Sequence, residues 1–128
     1  MMVSTFNIDQ LRQFSGSEEV YKHWASRQII YTEGLQYLAK EAGCYWLLDE
    51  VALMILPVLL KKHRDHFYLI KFMANADGSA DIIAEDGSDN VYMKRHIELT
   101  DFPVKENQLR FYLCSSGNAY CLMLPGEY

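Results

Sequence analysis

Cysteine is scarce in this 128-residue sequence: there are three, and none forms a C-x-x-C pair. That excludes a disulfide framework and a zinc ribbon, and it makes a reducing compartment, the cytoplasm, the expected home. Cationic residues are also short, 12 Lys and Arg against 17 Asp and Glu, for a formal charge of −5. A negative field repels phosphates, so no direct nucleic-acid binding is expected. A long apolar run is missing too. The longest, Val51 to Leu60, is half of the ~20 residues that span a bilayer, and extending it backwards would put Asp49 and Glu50 into hydrocarbon. The opening MMVSTFNIDQLRQF has no basic stretch followed by an apolar run, so neither an export signal nor a membrane span is expected. P-loop, dinucleotide fingerprint, G-x-S-x-G and H-E-x-x-H are all absent. No catalytic residue, metal or cofactor is therefore expected.

What is present is core material. Half of the residues are hydrophobic and 13% aromatic, and no linker, repeat or low-complexity tract interrupts them. One domain over 1–128 is expected, large enough to fold without staples. Phe6, Ile8, Leu11 and Phe14 recur at helical spacing and predict a short amphipathic helix. Ser17 before Glu18 and Glu19, with Val20, Tyr21 and Trp24 following, reads as an N-capped helical turn. Thr32 before EGLQYLAKEAG reads as a capping hydroxyl, Leu35, Leu38, Ala39 and Ala42 share a face, and Gly43 ends the helix. CYWLLDEVALMIL is apolar nearly all round, which marks a helix buried on several sides. Pro57 then demands either a kink or a fresh helical turn.

From His66 the period changes to two. HFYLIKFMA, ADIIAE, VYMKRHIEL, QLRFYLC and AYCLML read as strands, joined by Asp-Gly turns and a longer TDFPVKEN connection. The expected fold is α+β, with N-terminal helices packed on one face of a mostly antiparallel sheet of about five strands.

Several groups could carry chemistry. Asp49 and Glu50 interrupt an apolar helix, where a carboxylate can act as a general acid or base. Adjacent helical residues point about 100° apart, so the two cannot share a proton. Tyr45, one turn before Asp49, is placed to donate a hydrogen bond to it. A structural or interface role for these acids outweighs a catalytic one. His63 and His66 have metal-like spacing but straddle a helix end and lack a third ligand, so a solvated terminal turn is the simpler reading. The aspartate-rich turns do not match a calcium loop. Cys44 lies near a helix start but has no assigned base. Cys114 and Cys121 are expected to face one another if the last hairpin has a four-residue loop, whereas a two-residue loop is expected to set Cys121 against Tyr112. Nine tyrosines, two tryptophans and six methionines are expected to serve mostly as core, with those left at the surface offering aromatic anchors for a basic partner protein.

YTEGLQYLAKEAGCYWLLDE (Tyr31 to Glu50), EDG (Glu85 to Gly87), TDFP (Thr100 to Pro103) and the terminal LPGEY resemble a family of small uncharacterised bacterial proteins, a domain of unknown function found on mobile elements and in phage. The resemblance implies no activity. Its mobile-element setting points to a protein partner in host defence or plasmid maintenance. The leading expectation is a small, acidic, cytosolic protein-binding factor that inhibits a host defence or CRISPR-type complex by surface complementarity. Its binding residues would be Tyr31, Tyr45, Trp46, Asp49 and Glu50. The alternative is an enzyme or small-ligand binder with a pocket around Tyr45, Asp49 and Glu50. A homodimer through the Val51–Leu60 face is a third option.

Overall fold

The computed structural model describes residues 19–98, 100 and 107–128. The helix predicted over Phe6 to Phe14 and most of TDFPVKEN lie outside them. The described chain runs β1 (Val20–Lys22), β2 (Ile29–Thr32), α1 (Glu33–Glu41), α2 (Tyr45–Asp49), a π-helical segment (Glu50–Ile55), α3 (Leu56–Lys62), β3 (Phe67–Ala74), β4 (Ala80–Glu85), β5 (Val91–Ile97), β6 (Asn107–Ser116), β7 (Ala119–Met123) and a closing 3₁₀ turn (Pro125–Glu127).

All seven strands form one sheet in the order β1-β2-β7-β6-β3-β4-β5. Every neighbouring pair is antiparallel except β2 and β7, which run parallel. The fold is α+β as expected, but the sheet has two further strands and is mixed, and among the described residues α1 to α3 lie between β2 and β3. The segment read as a helical turn at 17–24 contains β1. A three-residue strand cannot show a period, and its acidic lead-in mimics a helix start. β2 is the run Ile29-Ile30-Tyr31-Thr32, three β-branched residues and one aromatic, half-buried, which suits a pleated surface.

Alternation along the strands tells which face is covered. Tyr68, Ile70 and Phe72 of β3, Ile82 of β4, and Phe111 and Leu113 of β6 are essentially inaccessible. They form one core with Leu35, Leu38, Leu47, Val51, Ile55, Leu56 and Leu59 from the helices. Each such side chain removed from water stabilises by ~1.5 to 3 kcal/mol before entropy is counted, so the greasy stretch 42–62 is the layer that closes over the sheet. No helix among the described residues is long and apolar enough to cross a membrane.

At Pro57 a fresh helical stretch begins, α3, with the proline in its first turn. The segment before it widens to a π-helix, in which the Leu56 N–H bonds the Val51 carbonyl five residues back. The wider turn absorbs a proline that lacks a donor and crowds the preceding turn. Val51, Ala52, Ile55, Leu56 and Leu59 enter the chain's own core, while Leu53, Met54 and Pro57 stay exposed, so the Val51–Leu60 segment is divided between core and surface. At the end of α3 the Tyr68 hydroxyl donates to His63 O (2.8 Å) and accepts from Asp65 N (2.7 Å). His63 stacks on Tyr92. The turn holding the two histidines is exposed, as expected of a solvated helix end, and no three His, Cys, Asp or Glu side chains among the described residues are grouped to hold a metal.

Two of the sequence blocks that carry the family resemblance meet in space. Glu127, 8% exposed, accepts hydrogen bonds from the Thr32 hydroxyl (2.6 Å), Gly34 N (3.1 Å) and Leu124 N (3.1 Å). Its carboxylate lies at the first turn of α1, where an anion suits exposed amides and the dipole. Thr32 therefore does not cap the helix itself. It delivers its hydroxyl to the acid that takes its place. A Cβ on Gly34 would overlap Glu127 Oε1 and stand 2.6 Å from Leu124 Cδ1, which explains the glycine in Tyr31-Thr32-Glu33-Gly34. Tyr128 packs edge-on against Phe67 and Tyr112 and holds the end of this clasp.

Candidate functional site

The β1–β2 hairpin and the start of α2 come together at one end of the sheet. Tyr21 and Tyr31 are register partners, and their rings stack with centroids 5.7 Å apart. The loop beyond them is organised by His23, a buried residue whose Nδ1 accepts from Ala25 N (3.1 Å) and Ser26 N (3.0 Å). A nitrogen that accepts twice carries no proton, so Nε2 bears the hydrogen and donates it to Asp49 Oδ1 at 2.7 Å. The same oxygen accepts from Trp24 Nε1 at 2.8 Å. Trp24 is nevertheless 79% exposed: its nitrogen is pinned and its ring lies in solvent.

Tyr45 lies one turn before Asp49 and is also exposed. Its hydroxyl does not donate to Asp49 as the spacing suggested; it accepts from Gln36 Nε2 at 2.9 Å. Tyr31 is held above the ordinary tyrosine range, first by burial and then by Tyr45, Tyr21 and the Asp49 carboxylate. These groups are close enough to feel one another's charge. Beside them, a concavity of about 700 Å³ is lined by Lys22, His23, Trp24, Ser26, Arg27 and Ile30, among others.

Of the five residues expected to bind, Tyr31, Tyr45 and Asp49 converge on this patch. The other two point elsewhere. Trp46 packs against Phe72 of β3 with its Nε1 buried and without a hydrogen-bond partner. Glu50 pairs with Arg95 of β5, Nε to Oε2 at 2.5 Å. A pocket shared by Tyr45, Asp49 and Glu50 does not form, because the ~100° step between neighbouring helical residues sends the two carboxylates to different strands. Tyr21, His23, Trp24 and Arg27 were not among the expected site residues. The only signal for them was an aromatic cluster at 21–24 that was assigned to a helix.

One comparison with known families finds a match over nearly the whole chain. The chain belongs to DUF6876, a family of unknown function, whose model matches residues 5–128. No curated protein and no solved structure shows significant similarity to it. Within Tyr45–Glu50, the geometry divides the labour: Leu47 and Leu48 enter the core, Glu50 ties the helix to β5, and Tyr45 and Asp49 reach the surface patch.

Proposed function

We propose that this chain is a small protein-binding factor whose contact face is the patch of Trp24, Tyr45 and Asp49 flanked by the Tyr21–Tyr31 stack. The observation that carries the reading is the exposed indole of Trp24, fixed in place by its hydrogen bond to Asp49. An exposed aromatic normally loses side-chain entropy when a partner arrests it, and one already immobilised loses less. Large, rigid, amphipathic rings are also the side chains that dominate binding energy.

The chemistry of the patch favours an arginine on the partner. A guanidinium stacks on indole and phenol faces and pairs with a carboxylate in one plane. Asp49 Oδ1 takes both internal donors, which leaves Oδ2 for a partner. The net charge of −5 speeds encounter with a cationic surface. In the mobile-element setting that the resemblance implies, the partner class is a host defence or CRISPR-type complex, which this chain would inhibit by occupying its surface.

The test uses the full chain as bait in lysate from its native host, with Trp24→Ala and Tyr45→Ala beside the wild type. Both changes are on exposed side chains and leave the thermal midpoint nearly unchanged. A partner held by the wild type and bound at least tenfold more weakly by either variant supports the patch, since hot-spot truncations cost about 2 kcal/mol or more. A partner held equally by all three refutes this face, and no partner at all counts against a binding factor.

A further inference from the structure

The last hairpin places two thiols side by side. β6 ends at Ser116 and β7 begins at Ala119, so only Gly117 and Asn118 form the loop, and Cys114 is the register partner of Cys121. This is the reverse of the sequence-based assignment: when Ser116 opposes Ala119, each step back along β6 matches one step forward along β7. Gly117 supplies the positive φ of 59° that the tight turn requires.

The hydrogen-bond directions fix the type of pair. Ser115 N bonds outward to His66 O (2.8 Å) and Tyr120 N outward to Gln28 O (2.7 Å). The neighbouring pair, Cys114 and Cys121, therefore exchanges the ladder bonds between β6 and β7, for which the Cα–Cα separation is ~5.5 Å. That lies within the ~4.4 to 6.8 Å that a disulfide bridges and near its preferred value. Both side chains leave the same face of the pleat, opposite to core residues Leu113 and Leu122. The two sulfurs sense each other electrostatically, and both cysteines are free thiols. Cys44, the third, is buried in the core between α1 and α2 and bonds the Leu38 carbonyl.

We infer that Cys114 and Cys121 form a site of reversible oxidation that gives two electrons to a low-molecular-weight disulfide and closes as an intrachain bond across the β6–β7 hairpin. Cys114, the more exposed of the two, gives up its proton and attacks one sulfur of the small disulfide, whose S–S bond breaks to release one thiol. Cys121, deprotonated in turn, attacks the Cys114 sulfur of the mixed disulfide and expels the second thiol. The chain loses two electrons and two protons, and the small disulfide gains both as two thiols. In a reducing compartment such a bond is transient and follows the oxidant level. Burial pushes the Cys114 thiol up and the Cys121 thiol to about 11, the latter with smaller contributions from Cys114 and Glu127. The reaction is therefore slow at neutral pH, and its rate rises roughly tenfold per pH unit below the thiol range.

The experiment incubates the folded full chain with excess oxidised glutathione at mildly alkaline pH and reads intact mass and thiol titre. The titre is expected to fall from three to one, with a monomer lighter by two hydrogens and carrying no glutathione, and reduced glutathione should reverse it. Cys121→Ser should instead keep a stable glutathione adduct on Cys114. Cys44→Ser should form the same bond as the wild type. Circular dichroism of each variant ensures that a folded hairpin is being compared. A wild type that retains glutathione on Cys114, stays unmodified, forms linked dimers, or closes the bond only after unfolding in urea would overturn the inference.

Discussion

Replacing Gly34 with alanine sets two physical effects against each other. Within a helix, Gly→Ala is ordinarily favourable by up to about 1 kcal/mol. Here the new Cβ would overlap Glu127 Oε1 and press on Leu124 Cδ1, so the Glu127 carboxylate must leave its seat. It accepts from Thr32, Gly34 and Leu124. Hydrogen bonds to a charged group contribute about 1.5 to 3 kcal/mol each, and losing two of the three costs about 3 to 6 kcal/mol. Offset by the gain in propensity, the net loss is about 2 to 5 kcal/mol. Urea unfolding should show a lower midpoint at unchanged slope, and the thermal midpoint should fall by at least about 6 °C for a chain of this size. Glu127→Ala in the same background provides the decisive comparison. Once the carboxylate is gone, much of the overlap goes with it, so the double variant should be no less stable than Glu127→Ala alone. Strictly additive losses, or a Gly34→Ala chain as stable as the wild type, would refute the account of the clasp.

Other perturbations follow from the same geometry. Lys71 Nζ pairs with Glu85 at 3.1 Å, and the Glu85 side chain is nearly inaccessible. Lys71→Met should cost about 2 to 3 kcal/mol in urea unfolding by stranding that carboxylate, while Lys71→Met with Glu85→Leu should regain most of the loss. Asp81 is held below the usual carboxylate range, chiefly by its hydrogen bonds with His96 Nδ1 and Asn75 Nδ2. Because its folded value is depressed, the stabilisation is complete above the unfolded carboxylate pKa of about 3.9 and fades as pH falls through the folded value. The gap in urea midpoint between wild type and Asn75→Ala should therefore be full at mildly acidic pH and narrow below about pH 4.

Much of the second half of the fold was legible because its strands are long enough to display a period. ADIIAE coincides with β4 residue for residue, and AYCLML overruns β7 by one. The first half was harder, since β1 and β2 hold only three and four residues and depend on partners far along the chain. β2 lies against β7 in parallel, a pairing that no local turn announces. At the site, the divergence of Asp49 and Glu50 could be read from helical geometry alone. The arrival of His23 and Trp24 at Asp49 could not, because it requires the hairpin that the acidic lead-in disguised. Trp46 was misplaced for a related reason: in a helix apolar on nearly every side, sequence alone does not say which aromatic faces the sheet.

The clasp that joins Glu127 to Thr32 and Gly34 spans more than ninety positions of the chain, and β7 is inserted between β2 and β6. During synthesis, α1 therefore emerges from the ribosome long before the residues that seat its amino end. It waits without its anchor until Glu127 has been made. Loss of Glu127 alone would unseat a helix formed more than ninety residues earlier.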